Sequence, residues 1–407
     1  MPLDGFFIFG WIRSEGLWQP SIPSAGFGIR HFYISGIRWT SVSETQSKRR
    51  VVELDAMKFF AIVFMITVHI FEFNFSPGDY GAAVNNAVFF LGGPAAAPAF
   101  MFCMGVTVMF SRRRGPADHI RRGFILLMMG YLLNALNGWI AMSIGYFMGY
   151  PTVSADDVIE LVFIVDILHF AGMGFMLIGV LEKLKVSHLG MLLIALAMQA
   201  LGYVLAGTCT GNPAVDGLLG LFVKMEFPES AFPLLNWFIF PVAGIVLSDI
   251  LVRCSDHRAL YSKILVVSAA TFVLVTVICV SAGIDVRDFY MVDSYYNQDI
   301  LKTIFSLSWV MTELSLLYFL MSRIRGVPTG DRVISAVTRA SYSLTAIYFI
   351  QWLIIGNISD VIYILDYSFE PWLFPVFVAV LVPLCMWMGV KAKSYGDSYK
   401  AARSERV

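Results

Sequence analysis

The sequence predicts an all-α protein, a polytopic membrane helix bundle of about ten transmembrane helices with both termini in the cytoplasm. Composition is the first observation behind this prediction. Of the 407 residues, 58% are hydrophobic and 14% are charged, and the mean hydropathy is +0.72. Soluble domains carry roughly 25% charged residues, so this chain lacks the polar surface of a water-soluble fold. The other two observations are the length of the apolar stretches and the placement of basic residues between them.

Ten apolar stretches are long enough to cross a bilayer, because a spanning helix needs roughly 17–25 residues. The second stretch is interrupted by Gly92, Gly93, Pro94 and Pro98. Such interruptions are tolerated where neighbouring protein or water satisfies the freed backbone groups. In chain order, the stretches are 57–75, 84–110, 119–142, 158–181, 187–206, 232–251, 262–281, 300–322, 337–358 and 371–391.

Basic residues are concentrated in every second loop. These loops contain Lys48, Arg49, Arg50, Arg112, Arg113, Arg114, Arg121, Arg122, Lys183, Lys185, Arg253, Arg258, Lys263, Arg323, Arg325, Arg332, Arg339, Lys391, Lys393, Lys400 and Arg403. The loops between them have few basic residues and carry Asp156, Asp157, Glu229, Asp285, Asp293, Asp366 and Glu370 instead. Positive charge stays on the cytoplasmic side of a membrane, so both termini are expected in the cytoplasm.

The two ends of the chain differ from the apolar middle. Residues 1–50 are rich in aromatic residues and glycine, contain no run long enough to span, and show no signal peptide. We interpret them as an N-terminal extension, either a disordered or membrane-surface arm or an over-extended start, since Met57 opens the first span. Residues 51–395 then form the transmembrane domain, and 396–407 form a cytoplasmic tail.

Composition also excludes several function classes. The net charge is zero, which argues against a nucleic-acid partner. Five cysteines are scattered singly, so they predict neither a disulfide framework nor a zinc site. The six histidines include no short-spaced pair, and no metal is expected. The partner that composition does predict is the lipid bilayer, and a homodimer stays possible.

Lys58 and His69 lie eleven residues apart on the first span. At about 1.5 Å of rise per residue, the histidine is about 16 Å beyond the lysine. The hydrocarbon layer is about 30 Å thick, so a lysine at its edge leaves His69 near the midplane. An ionisable side chain at that depth is a functional-site hypothesis by default.

The fourth span contains a second pair of ionisable groups. Asp166 and His169 follow Asp157 by nine and twelve residues, which is about 14 and 18 Å from the outer edge of the membrane. Residues three apart are neighbours on one helix face. An aspartate beside a histidine can hold its tautomer and stabilise the imidazolium, as general-base or acyl-accepting chemistry requires.

Further polar side chains fall within the spans, at Asn134, Asn137, Glu313, Tyr348 and Gln351. Buried polar residues in helix bundles often serve only to form hydrogen bonds between helices. For these side chains a structural role is therefore an alternative to a functional role. The remaining histidines, which are His31, His119, His188 and His257, are expected to be solvated.

Two other site chemistries stay open at this point. A haem could lie between His69 and His169, because it needs one histidine from each of two helices. A proton-coupled secondary transporter of a small molecule could relay protons through Asp166, His169 and Glu313.

Six motifs along the chain resemble one group of enzymes. The stretch Leu54–Ile62 followed by Val68-His69 resembles the first helix of membrane acyltransferases, in which a basic residue precedes a histidine by this same interval. The other five resemble successive helices of the heparan-alpha-glucosaminide N-acetyltransferase-like family. They are Gly92–Gly105, Arg121–Gly130, Val165–Gly172, Pro233–Gly244 and Ser341–Trp352. The chain is similar also to the acyltransferase-3 group, and the similarity runs from about 51 to 391.

The resemblance implies an enzyme of the plasma membrane that moves an acyl group, acetyl being expected, from cytoplasmic acyl-CoA to an extracytoplasmic acceptor. The acceptor would offer a hydroxyl or an amine, carbohydrate or another cell-envelope molecule being expected. It would approach from the outside, near Tyr290, Tyr295, Tyr296 and Trp372. Whether the acyl group passes directly or through an acyl-histidine stays open.

The resemblance also assigns roles to individual residues. By it, His69 is catalytic with support from Asp166 and His169, while Lys58, Arg121 and Arg122 lie near the phosphates of the donor. Glu313, Gln351, Tyr348 and Asn134 are expected to line the substrate. Two positions depart from the pattern: Gln351 stands where the family usually has histidine, and Lys58 where it usually has arginine.

Overall fold

The computed structural model describes residues 50–110 and 115–404. Most of the predicted N-terminal extension, the arginines at 112–114 and the last three residues of the predicted tail therefore lie outside the described residues. The helices are α1 (Val52–Asn74), α2 (Ala82–Gly92), α3 (Ala97–Phe110), α4 (Pro116–Asn134), α5 (Ile140–Met148), α6 (Ala155–Phe163), α7 (Ile167–Lys183), α8 (His188–Leu205), α9 (Pro213–Leu219), α10 (Leu234–Trp237), α11 (Ile239–Arg253), α12 (His257–Ser281), α13 (Val292–Tyr295), α14 (Ile300–Ile324), α15 (Pro328–Tyr342), α16 (Leu344–Ile364) and α17 (Phe374–Ser404).

The all-α class is confirmed, since the described ranges contain helices and no strand beyond one isolated bridge between Val165 and Ser230. Nine helical segments of these ranges are long and apolar enough to cross a membrane. They are Val52–Asn74, Ala82–Phe110, Pro116–Met148, His188–Leu205, Leu234–Arg253, His257–Ser281, Ile300–Ile324, Leu344–Ile364 and Pro371–Ala402.

Two predicted spans need correction. The fourth span, 158–181, is not one helix but two, α6 and α7, each shorter than the 18 residues of a spanning segment. The ninth span begins at Leu344 rather than at 337, because the chain turns at Ser343 between α15 and α16. The residues before this turn belong to an amphipathic helix with Asp331, Arg332 and Arg339 on it, which is a poor membrane span.

The backbone groups at the break between α6 and α7 have partners elsewhere in the chain. The amide of Val165 donates to the carbonyl of Glu229 at 3.0 Å, and the carbonyl of Val165 accepts from the amide of Ala231 at 3.0 Å. The side-chain amide of Asn134 donates to the carbonyl of Ile164 at 2.9 Å. Unpaired backbone groups are too costly in an apolar interior, so these partners are what permits the helix to stop there.

Helix α1 lies at the centre of the bundle. It packs against α2, α3, α14, α15, α16 and α17. Around it, α4 packs along α7, α3 along α11 and α12 along α14. Small residues allow these close crossings: a Cβ added at Gly105 of α3 would overlap the backbone of Pro241, and one at Gly123 of α4 would overlap that of Gly172.

The two ends of the bundle differ in charge. We call the end where α1 begins the basic end, because Arg50, Arg258 and Arg325 meet there, and the opposite end the acidic end. Three basic residues of the described ranges lie at the acidic end, and each of them has a polar partner. Lys224 and Arg287 contact Glu229 and Asp285 at 3.4 and 2.5 Å, and the Lys302 ammonium donates to backbone carbonyls. The Arg287 guanidinium also lowers the pKa of the Asp285 carboxyl through their hydrogen bonds.

His119 was expected to be solvated, and that prediction is wrong. The side chain is buried, and its Nδ1 lies 2.7 Å from Oε2 of Glu182. The reason is the close packing of α4 on α7, which places His119 against a helix that is 63 residues away in sequence.

We expect Gly105→Ala to destabilise the fold. Alanine gains up to about 1 kcal/mol over glycine in a helix interior, but overpacking costs about 1–3 kcal/mol, and the added methyl group would overlap the Pro241 carbonyl. The measurement is the melting temperature in detergent. The matched control is Gly174→Ala on α7, where the nearest atom is the flexible methyl group of Met104 at 3.2 Å. Equal melting temperatures of the two variants would contradict the close crossing of α3 and α11.

Candidate active site

A small cavity lies beside α1 in the half of the bundle nearer the acidic end. Its volume is about 30 Å³, which is room for about two water molecules. Its walls come from α1, from the junction of α2 and α3, from the start of α7 and from the segment around residues 290–296. The polar side chains that line it are His69, Glu72, Asp166, Tyr290, Tyr295 and Tyr296.

The His69 imidazole is held by two residues of α16. Its Nδ1 lies 3.0 Å from Nε2 and 3.4 Å from Oε1 of Gln351, and its ring packs on that of Trp352 with centroids 4.3 Å apart. Gln351 is fully buried, so the amide that faces Nδ1 sets the imidazole tautomer. The other nitrogen, Nε2, has no hydrogen-bond partner among the described residues, and the His69 side chain lines the cavity.

The Asp166 carboxylate is connected to the same helix. Its Oδ2 accepts a hydrogen bond from the Tyr348 hydroxyl, which in turn accepts from Nε1 of Trp352 at 2.8 Å. Its Oδ1 accepts from the amide of Ile167 at 2.6 Å, which caps α7. One turn of α16 thus fixes both the imidazole on α1 and the carboxylate at the start of α7.

His169 does not face the cavity. Its Nδ1 accepts a hydrogen bond from the amide of Asp166 at 3.2 Å, so the two residues cap the start of α7 reciprocally. The ring is fully buried against Tyr131 and Gly130. Asp166 and His169, three residues apart, therefore form a helix cap. Because only His69 lines the cavity, the two histidines do not face a common space that a haem would occupy.

Two other predicted lining residues lie away from the cavity. Asn134 uses its amide to close the break between α6 and α7. Glu313 lies on α14 within electrostatic reach of the buried Cys103, and its Oε2 has no hydrogen-bond partner within residues 50–110 and 115–404. Tyr348 and Gln351 do not line the cavity either, but they contact Asp166 and His69, which do. The structure thus brings together four residues of the predicted set.

The tyrosine wall of the cavity is fixed by backbone contacts. The Tyr295 hydroxyl donates to the carbonyl of Gly93 at 3.2 Å, and Nε1 of Trp237 donates to the carbonyl of Tyr296 at 3.0 Å. The Lys302 ammonium donates to the carbonyls of Ser294 and Asn297 at 2.6 and 3.1 Å. Trp372, which was expected on the same side, is largely exposed and is not part of this wall.

The predicted donor-binding residues lie nearer the basic end. Lys58 is six residues inside α1, not at its edge, so His69 lies only five residues before the helix ends at Asn74. The Lys58 ammonium is within electrostatic reach of Arg50, Asp55 and Arg122. The Arg122 guanidinium lies 4.3 Å from the ring centroid of Phe175, and Arg121 is exposed on α4.

A second and larger cavity opens at the basic end. Its volume is about 400 Å³, and it lies between the start of α1, the end of α11, the start of α12 and the end of α14. Its ionisable side chains include Arg50, Glu53, Asp256, His257, Arg258 and Arg325. It shares no lining residue with the cavity at His69.

Glu72 is the residue of the inner cavity that sequence reasoning missed. It lies three residues after His69 within the same apolar stretch, and it lines the same cavity. The signal was available, because an acid three positions from a buried histidine shares its helix face.

In the part of the chain that the structure describes, no three His, Cys, Asp or Glu side chains are grouped as a metal site requires.

Comparison with known proteins gives one match. A family described as an acyltransferase domain, of the acyltransferase-3 type, matches residues 51–390. The match therefore spans all the helices from α1 to most of α17. No curated protein and no solved structure matches the chain.

We expect Tyr348→Phe to lower stability by about 1–3 kcal/mol, because it leaves Asp166 and the Trp352 indole without their shared buried partner. The measurement is the melting temperature in detergent. Tyr363→Phe is the control on the same helix. Its hydroxyl is exposed and lies 3.4 Å from Asp157, so a change within about 0.5 kcal/mol is expected. A Tyr348→Phe variant as stable as this control would show that the hydroxyl does not join the two helices.

Proposed function

The chain belongs to the acyltransferase family that its residues 51–390 match, and from that premise we propose that it transfers an acyl group, acetyl being expected, from acyl-CoA to a hydroxyl or an amine. The enzyme is integral to the membrane, and the plasma membrane is the expected one. The observation that carries the proposal is the His69 imidazole, which lines a cavity and whose Nδ1 is held by Gln351 while its Nε2 has no hydrogen-bond partner among the described residues.

The free nitrogen can act as a general base. The general-base route uses the tautomer with the proton on Nδ1, which requires the Gln351 amide to turn Oε1, now 3.4 Å from Nδ1, into the place of its Nε2, now at 3.0 Å. Nε2 of His69 then takes the proton of the acceptor as the acceptor attacks the thioester carbonyl. The carbon–sulfur bond then breaks, and the imidazolium returns the proton to the leaving thiolate. Alternatively, Nε2 itself attacks and carries the acyl group before transfer. Both routes use the same nitrogen.

The two ends of the bundle suit the two substrates. We place the basic end in the cytoplasm, by the charge of its loops, where the phosphates of acyl-CoA meet Arg50, Arg258 and Arg325 at the larger cavity. Lys58 and Arg122 extend this positive surface toward α1 and α4. The acceptor enters at the acidic end, where tyrosines and carboxylates line the inner cavity. Aromatic faces with carboxylates favour a carbohydrate acceptor.

A proton-coupled carrier was the alternative from another class. Its three relay residues do not share one site, because His169 caps α7 and Glu313 lies beside Cys103, away from the inner cavity. The family match and this separation both favour the enzyme.

The first test is release of thiol from acetyl-CoA by purified protein, with water as the acceptor. We expect His69→Ala to lower kcat by about 10²–10⁴-fold, the usual contribution of a general base. His188→Ala is the control, since His188 lies at the basic end beside Asp249. Wild-type protein that releases no more thiol than His69→Ala would remove the main support for an acyltransferase.

The second test locates the donor. We expect the double variant Arg258→Gln/Arg325→Gln to raise KM for acetyl-CoA about tenfold with kcat little changed, because charged hydrogen bonds to phosphate are lost in binding and not in the reaction. Arg323→Gln is the control, since Arg323 is exposed on α14 and does not line the cavity. A larger rise of KM in Arg121→Gln/Arg122→Gln would place the donor against α4 instead.

A further inference from the structure

Glu72 is a carboxylate without a partner beside the candidate base. It lies one helical turn after His69 on α1, where Cβ atoms three positions apart are about 5–6 Å from each other. Both side chains line the same 30 Å³ cavity. Within residues 50–110 and 115–404, no hydrogen bond or ion pair engages the Glu72 carboxylate, which instead lies within electrostatic reach of Glu229, Tyr295 and Tyr296.

The other carboxylate that lines the cavity already has hydrogen-bond partners. Asp166 accepts from the Tyr348 hydroxyl through one oxygen and from the amide of Ile167 through the other. These bonds hold α7 and α16 together and cap a helix. Among the residues that the structure describes, no lysine or arginine lines the cavity to neutralise Glu72. Of the two carboxylates that line the cavity, only Glu72 therefore has both oxygens without a hydrogen-bond partner among the described residues, and it shares the cavity with His69.

We propose that Glu72 is a second catalytic residue of the acyl transfer, the carboxylate that orients the attacking group of the acceptor against Nε2 of His69. The inference rests on the proposed function. It assigns to Glu72 the supporting role that spacing alone suggested for Asp166 and His169.

The step balances without further reagents. A sugar acceptor donates to Nε2 of His69 from the attacking hydroxyl and to Glu72 from a neighbouring hydroxyl. In the simplest case the attacking group is water, which donates one hydrogen bond to Glu72 and one to Nε2 of His69. As its oxygen bonds to the thioester carbon, its second hydrogen passes to Nε2, and the Glu72 carboxylate stabilises the imidazolium that forms. The carbon–sulfur bond breaks and the thiolate takes that proton. Acetyl-CoA and water thus become acetic acid and CoA, with Glu72 unchanged.

The experiment uses the full chain in detergent with acetyl-CoA as the only substrate and thiol release as the readout. We expect Glu72→Gln, which keeps the shape of the side chain, to lower kcat by about 10²-fold. KM for acetyl-CoA should stay within about twofold, because the donor binds at the opposite end. Glu229→Gln is the matched control, since Glu229 lies nearby but does not line the cavity, and it should retain nearly full kcat.

Chemical rescue separates a catalytic role from a structural one. In Glu72→Ala, formate fits the space that the side chain leaves. We therefore expect added formate to raise the kcat of this variant at least tenfold, which recovers half of the 10²-fold loss on a logarithmic scale. His69→Ala should show no response to formate. Glu72→Asp, which keeps the carboxylate but shortens its reach, should fall between wild type and Glu72→Gln, and it serves where the alanine variant does not fold.

The outcomes distinguish this inference from the function on which it rests. Full kcat in Glu72→Gln together with loss in His69→Ala would overturn the role of Glu72 and leave the acyltransferase intact. Loss in Glu72→Gln without formate rescue of a folded Glu72→Ala would assign Glu72 a structural role and also overturn the inference. Equal thiol release by wild type and His69→Ala would overturn the proposed function and the inference together.

Discussion

Pairing of backbone groups inside an apolar bundle is the constraint on which the rest of this structure depends. A helix that stops in such surroundings must find partners for the carbonyls and amides it leaves open. Between α6 and α7 those partners are the backbone of residues 229–231 and the side-chain amide of Asn134. Because the break is closed in this way, α7 can begin in the interior with Asp166 as its cap. A carboxylate thereby reaches the wall of the inner cavity at a helix start, where backbone amides stabilise its charge.

Helix α16 holds the side chains of the candidate site in place. Three of its residues, which are Tyr348, Gln351 and Trp352, fall within a little more than one turn and so share one face. That face contacts His69 on α1 and Asp166 on α7, which are 97 residues apart in sequence. The imidazole is held at one nitrogen and across its ring, which restricts both its tautomer and its rotation. Removing any of these contacts loosens a side chain of the candidate site and a helix junction together, so the stability of the bundle and the geometry of the site rest on the same side chains.

The features that depend on a local sequence pattern could be predicted from the sequence. The features that depend on contact with a residue far away in the chain could not. Hydropathy identified the helix bundle, and the glycines and prolines at 92–98 predicted the interruption that separates α2 from α3. The break before α7 carries no glycine or proline, and its partners lie some 30 and 65 residues away, so no local signal revealed it. Asp166 and His169 are adjacent as their spacing predicts, but the same spacing serves a helix cap. His119 became buried through Glu182, again a distant contact. Glu72 was missed for a different reason, because one acid within a long apolar stretch hardly changes its mean hydropathy.

The interval between Lys58 and His69 has a physical meaning that the fold makes visible. Eleven residues at 3.6 per turn are very nearly three turns, so the two side chains leave α1 on the same face, about 16 Å apart along its axis. Lys58 lies nearer the basic end, within electrostatic reach of Arg50 and Arg122, and His69 lines the inner cavity. A molecule that contacts both side chains must span that length. One inserted residue would lengthen the distance by only about 1.5 Å but would rotate the histidine by about 100° out of the cavity. The interval therefore constrains which helix face the histidine occupies more tightly than it constrains the distance to the lysine. For this reason the informative feature of the first helix is the fixed interval, because a basic residue at some other distance before the histidine would not place both on one face.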